Sequence, residues 1–136
     1  MTAMVVTEGH ENRILLFAID GGRAVLRDSV AIGPPWSAGG QYPQGKVIDY
    51  GPGAIWTTGL AADDARRRLY VVSRLDSALS VVDIESRRVR TRLRLPGVPY
   101  TCIVTPDGGR VLVSLWSAGA VAVVIDDEDG PQRFAD

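Results

Sequence analysis

Leu69-Tyr70-Val71-Val72 and Val111-Leu112-Val113-Ser114 decide the fold, because they are one kind of segment met twice, 42 positions apart. The next apolar run moves with them. Leu79-Ser80-Val81-Val82 precedes Val121-Ala122-Val123-Val124 by the same 42 positions. An earlier copy, Val5 to Phe17, aligns with Tyr70 to Val82 at a shift of 65. That shift exceeds 42 by 23 residues, and the excess falls in residues 34–55, which are rich in Gly and Pro and have no periodicity. The stretch reads as a long loop inserted between repeats.

All these runs are short, rich in Val, and bounded by Gly, Asp, Asn, Ser or Pro, which is the pattern of strands joined by hairpins. No stretch keeps apolar residues at helical spacing over the ~10–12 positions a helix needs. The expected class is all-β and antiparallel. A period of about 40–45 residues with four strands each is the period of a propeller blade. The expectation is a partial β-propeller of about three four-stranded blades, the first and last incomplete. Its parts are an incomplete blade over 4–33, the inserted loop 34–55, a complete blade over 56–97, an incomplete blade over 98–126 and an acidic tail over 127–136. The strand count along the chain is then three, four and three.

Residues 69–72 are apolar on both faces, as befits a strand packed between neighbouring blades. Residues 89–95 alternate instead. Val89, Thr91, Leu93 and Leu95 share one face, and Arg90, Arg92 and Arg94 share the other. Charge on an outer strand blocks pairing with another chain. An arginine stripe that reads phosphates is the alternative, but no aromatic platform accompanies it, and Asp76, Asp83 and Glu85 stand nearby to balance it.

The segments Tyr70-Val71-Val72-Ser73, Leu79-Ser80-Val81-Val82-Asp83, Arg88 to Gly97, and Pro99-Tyr100-Thr101 through Thr105-Pro106-Asp107-Gly108-Gly109-Arg110 to Ser114 together resemble the YVTN (YncE-like) β-propeller repeat. The Thr-Pro-Asp-Gly-Gly-Arg hairpin is the most specific part. The approach through Pro99, the exit Ser114-Leu115-Trp116, the Asn12-Arg13 hairpin and Asp28-Ser29 are similar to a subgroup that joins such a propeller to an alkaline-phosphatase-like phosphoesterase domain. The resemblance runs from about residue 4 to 126. Ala62-Asp63-Asp64-Ala65-Arg66-Arg67-Arg68 departs from the family's Ser-Pro-Asp-Gly-Lys-Arg turn. The resemblance implies a fold more than an activity, since propellers host many functions.

A propeller closes with roughly four to eight blades. Four blades of this period need about 168 residues and seven about 294, whereas the chain has 136. The outer faces of the first and last blades are therefore expected to be exposed, each Val or Leu there forgoing roughly 1.5–3 kcal/mol. The chain reads as a portion of a larger ring, or as one completed by other copies.

Net charge is −1, too near neutral to drive binding to nucleic acid by electrostatics. One His and one Cys exclude an internal disulfide and the usual zinc sets. No apolar run approaches the roughly 18 residues of a membrane span, and Met1 to Val6 lack the basic start of a signal peptide, although the resembling subgroup is often exported.

Potential sites are few. His10, in the turn Gly9-His10-Glu11-Asn12, reads as an exposed turn residue or a base, with no nucleophile beside it in sequence. Cys102 reads as a small buried hydrophobe. Asp83 and Asp126 end equivalent strands and read as turn caps, or as a pair for cation binding or acid–base work. The run Asp126 to Asp129 lacks calcium-loop spacing. Gly21-Gly22 and Gly108-Gly109 precede no helix, so no phosphate cradle is expected. The aromatic residues Trp36, Tyr42, Tyr50 and Trp56 gather in and around the inserted loop, and long aromatic loops often make binding surfaces. Trp116 is expected near the ring mouth. The expected function is a non-catalytic propeller module binding a protein or small ligand through Trp36, Tyr42, Tyr50, Trp56 and Trp116, with no cofactor or metal. Self-association through exposed blade faces is a further expectation. Two enzymatic contexts stand as alternatives: the propeller portion of a phosphoesterase whose catalytic domain lies elsewhere, and a lactonase-like propeller.

Overall fold

The computed structural model describes residues 2–8, 12–33, 55–126 and 133–134. Its strands form three antiparallel sheets. The first contains β1 (Thr2–Glu8), β2 (Arg13–Asp20) and β3 (Arg23–Ala31). The second contains β4 (Thr57–Asp63), β5 (Arg68–Ser73), β6 (Ala78–Asp83) and β7 (Arg88–Arg94). The third contains β8 (Pro99–Val104), β9 (Arg110–Leu115), β10 (Ala120–Ile125) and β11 (Arg133–Phe134). Strands follow chain order within each sheet, and the first strand of the middle sheet, β4, packs between β1 and β8. This is a partial β-propeller.

The repeat is visible in its irregularities. The register slips between Leu16 and Phe17 in the β2–β3 pair and between Val81 and Val82 in the β6–β7 pair, 65 positions apart. It also slips between Thr57 and Gly59 in the β4–β5 pair and between Pro99 and Cys102 in the β8–β9 pair, 42 positions on. Such bulges bend a strand and raise its local twist. By the 65-residue shift β1 occupies the place of β5, so among the described residues the first sheet has no counterpart of β4.

The third sheet corrects the expected count. Arg133 and Phe134 pair with Ile125 and Val124, giving that sheet a fourth strand where the sequence reading placed an acidic tail. Two residues are too few to show alternation. Ile55, just before β4, is buried in the core.

Two clusters hold the sheets together. Ile14, Val30 and Ile32 of the first sheet side pack with Ile55, Leu69, Val71 and Val82 of the middle sheet. Tyr70, Val72, Leu79 and Val81, on the opposite face of the middle sheet, pack with Cys102, Val111, Val113 and Val124 of the third. The middle sheet is thus buried on both faces, and fully burying such side chains stabilises by roughly 1.5–3 kcal/mol each. Gly59 lets β4 and β8 approach: a Cβ there would come within 2.7 Å of the Thr101 Cα.

The alternation in β7 puts its arginines outward. Arg92 pairs with Asp76 at 3.0 Å and donates to the Ile32 carbonyl of the first sheet side, so this arginine ties two sheets together. Arg87 likewise pairs with Asp28 across the same gap. Among the described residues no helix is long and apolar enough to cross a membrane.

Candidate functional site

Arg74 and Trp116 leave β5 and β9 at equivalent positions, 42 residues apart. Both are fastened the same way. The Arg74 N–H donates to the Trp56 carbonyl at 3.0 Å, and the Trp116 N–H donates to the Val98 carbonyl at 2.8 Å. Each bond ties a strand exit to the residue just before the innermost strand, so the hairpin ends and the sheet-to-sheet connections share one rim.

A cavity of about 460 Å³ opens at this rim, lined by Arg74, Leu75, Ser77, Val98, Trp116 and Ser117. The Arg74 guanidinium lies 5.4 Å from the centre of the Trp116 ring, within cation–π range. Trp116 is 68% exposed, so most of its ring is open to solvent. It stands on a short 3-10 turn, Trp116–Ala118, that ends at Gly119 with a left-handed φ of 56°. The Ser117 hydroxyl accepts from the Val98 N–H at 2.9 Å and braces this turn. Arg74 Nε is buried and has no hydrogen-bond partner among the described residues. A guanidinium stacked beside an exposed aromatic face suits an anionic, flat ligand or side chain.

Trp56 belongs to the same rim. It is half-buried and holds a left-handed φ of 54°, a strained state for a residue other than glycine. Asn12 holds it there. That side chain is buried, and its Oδ1 accepts from the Ile55 N–H at 2.9 Å and from the Trp56 N–H at 3.4 Å. Trp36, Tyr42, Tyr50 and His10 lie outside the described residues.

Asp126 reaches across to another sheet. It is only 1% exposed and lies between the middle and third sheets. Arg68 Nη1 reaches its Oδ2 at 2.7 Å, and the Tyr70 hydroxyl donates to the same oxygen. Burial, then the carboxylate beside it, pushes the Tyr70 hydroxyl well above its ordinary pKa. The strand-end position seen in sequence was right, but the partners lie 58 and 56 positions away and leave no local sign. Asp83, by contrast, caps its turn: its Oδ1 accepts from the Ser86 N–H at 2.7 Å, which holds its carboxyl below the usual range. Cys102 is buried and its thiol donates to the Tyr70 carbonyl at 3.5 Å. Burial pushes its pKa up to about 12, which suits a packing residue and not a nucleophile.

A second cavity of about 380 Å³ lies between the β4–β5 and β8–β9 turns. Asp63 borders it, accepting from the Arg66 N–H at 3.2 Å, with Arg66 Nη1 3.9 Å from its other oxygen. Asp107, on its edge, accepts from the Thr105 hydroxyl and the Gly109 N–H, and its carboxyl is held low as a result. Among the described residues no group of three His, Cys, Asp or Glu side chains is placed to hold a metal ion.

No protein-family model matches the sequence, and no curated protein does. Solved structures do. The periplasmic gluconolactonase of Pseudomonas aeruginosa is similar over 98% of this chain and 36% of its own, with 22% identity and a TM-score of 0.72. A Bacteroides fragilis protein assigned provisionally as a 6-phosphogluconolactonase is similar over 97% of this chain and 34% of its own, with 17% identity and a TM-score of 0.67. The Cps50 β-propeller domain of Myceliophteria thermophila is similar over 98% of this chain and 41% of its own, with 9% identity and a TM-score of 0.55. The chain spans about a third of the length of the two lactonase-named structures. Sheet order, repeat period and these likenesses agree on one architecture, and the chain is three sheets of a β-propeller.

Proposed function

We propose that the chain is a non-catalytic portion of a YVTN-type β-propeller that binds a protein or small ligand at the rim carrying Trp56 and Trp116. The observation that carries this reading is the Arg74–Trp116 cavity, where a guanidinium lies beside an open aromatic surface. The rim rests on rigid sheets, so the two side chains are held in place before a ligand arrives, which lowers the cost of binding. The chemistry favours a carboxylate on a flat or aromatic frame, either free or as a side chain of a partner. The YVTN assignment rests on the hairpin Thr105 to Arg110 and the strand pattern around Tyr70.

Titration with benzoate tests the reading. The indole N–H signal of Trp116 should move on binding, and Arg74→Gln should weaken the affinity about tenfold, the loss of one charge-assisted hydrogen bond. A Trp116 signal that stays still at saturating benzoate, or an unchanged affinity in Arg74→Gln, sinks it.

A lactonase is the second reading, favoured by the names of two similar structures. Lactone hydrolysis by the purified chain, lost in His10→Ala or Glu11→Ala, would establish it over the non-catalytic one. A phosphoesterase context would place the chemistry in a domain beyond this sequence.

A further inference from the structure

The seam between the middle and third sheets has two ends. Arg74, Val98 and Trp116 stand at one. At the other, the β4–β5 turn faces the β8–β9 turn across the cavity of about 380 Å³. The two turns are counterparts, since Asp63 and Thr105 lie 42 positions apart. Each opens with a side-chain oxygen that caps it. Asp63 Oδ1 accepts from the Arg66 N–H at 3.2 Å, and the Thr105 hydroxyl accepts from the Arg110 N–H at 3.2 Å. One oxygen suffices at Thr105, so the second oxygen of Asp63 is surplus to its turn.

That second oxygen points across the cavity. A Cβ on Gly108, in the opposite turn, would come within 3.2 Å of Asp63 Oδ2. Gly108 holds a left-handed φ of 71°, and having no side chain it keeps this approach open. Asp63 is only 7% exposed, and its Oδ2 has no hydrogen-bond partner among the described residues. The Arg66 guanidinium stops 3.9 Å away, beyond hydrogen-bond reach. A buried carboxylate oxygen left unmatched costs free energy until a donor reaches it.

The lining selects the donor. Asp63, Asp64 and Asp107 set three carboxylates around the cavity against the one guanidinium of Arg66, so a cation is favoured over a neutral molecule. Among the described residues no three His, Cys, Asp or Glu side chains are placed to hold a metal ion, and calcium takes about six to eight oxygens. An ammonium group asks less, because one strong acceptor and a surrounding negative field satisfy its charge and its N–H donors. Ala62, Ala65, Val104 and Pro106 give the adjoining carbon an apolar wall.

We propose that this cavity binds a primary ammonium group, which donates to Asp63 Oδ2 while Asp64 and Asp107 strengthen the negative field around it. The group is the head of a small amine or the side chain of a lysine on a partner. Arg66 is the competing cation. Its guanidinium gives way as the ligand enters, and that movement opens Asp63 Oδ2 to the cavity.

Titration with methylammonium chloride, followed through the amide signals of Gly108 and Gly109, tests this. Both signals should shift to a plateau in the wild type. Tetramethylammonium chloride carries the same charge without an N–H donor and should leave them in place. Asp63→Asn should weaken binding about tenfold or more, since a charge-assisted hydrogen bond is lost. Arg66→Gln should tighten it, because the competing cation is gone, and a merely damaged fold would not produce that gain. Tighter binding of Nα-acetyl-lysine amide than of methylammonium marks a partner's lysine as the source, and the reverse marks a small amine. No plateau by about 100 mM methylammonium, where even a weak contact registers, overturns the proposal. So do equal shifts with tetramethylammonium, or an unchanged affinity in Asp63→Asn. The two wild-type titrations decide the matter if Asp63→Asn does not fold. Neither Asp63 nor Arg66 lines the Arg74–Trp116 cavity, so failure here leaves the rim reading untouched.

Discussion

The middle sheet and the third sheet are built on one pattern, yet they bury it differently. In β5 and β6 nearly every side chain is inaccessible to solvent, whereas in β9 and β10 only alternate positions are. Leu79 is fully buried, and Val121, its counterpart 42 positions on, is 60% exposed. Gly59 and Thr101 make the same contrast at the innermost strands. Position in the repeat selects apolar character, and the presence of a neighbour decides whether that character stabilises the fold.

The largest expected effect probes the polar link between these sheets. Asp126→Ala leaves Arg68 buried without its carboxylate, which costs about 3–5 kcal/mol. Urea denaturation should show it, and a loss under 1 kcal/mol would mean that water reaches Arg68. Next comes the direct comparison of counterparts. Leu79→Ala should cost about 2–5 kcal/mol through the cavity it opens, and Val121→Ala within about 0.5 kcal/mol. Equal losses would erase the distinction between covered and uncovered faces.

The smallest effect concerns the turns. Hydrogen bonds hold the carboxyls of Asp28, Asp83 and Asp107 below the ordinary value of 3.8. Arg87 is the main cause for Asp28, the Ser86 N–H for Asp83 and the Thr105 hydroxyl for Asp107. A carboxyl whose folded pKa is depressed contributes stability above its unfolded value and loses it as pH falls through the folded one. Stability should therefore decline below pH 3.8, and Asp107→Asn should flatten that decline slightly. Asp107 is exposed and Asp28 and Asp83 are half-buried, so salt should shrink the effect.

Much of the architecture was legible because strands announce themselves locally. Tyr70 to Val72, Leu79 to Val82 and their counterparts carry the period in consecutive residues, and the hairpin Thr105 to Arg110 marks its own turn. The partners of Asp126 were not legible, since Arg68 and Tyr70 lie in another sheet and nothing near residue 126 points to them. Arg74 was missed at the rim for a different reason. Its importance comes from occupying the counterpart of Trp116, a signal that appears only when the 42-residue alignment is carried past the strand ends. The aromatic positions Trp36, Tyr42 and Tyr50 fall outside the described residues, so the rim is carried by Trp56 and Trp116. The strand at Arg133 was hidden by its length, as two residues have no period.

The recurrence of the bulges has a consequence for how such a chain grows. A slip at Leu16 reappears at Val81, and one at Thr57 reappears at Pro99. A copied segment therefore inherits its bend along with its hydrophobic residues. Each bend is thus written into the hydrogen bonding of its own strand pair, so it does not depend on a closed circle to impose it.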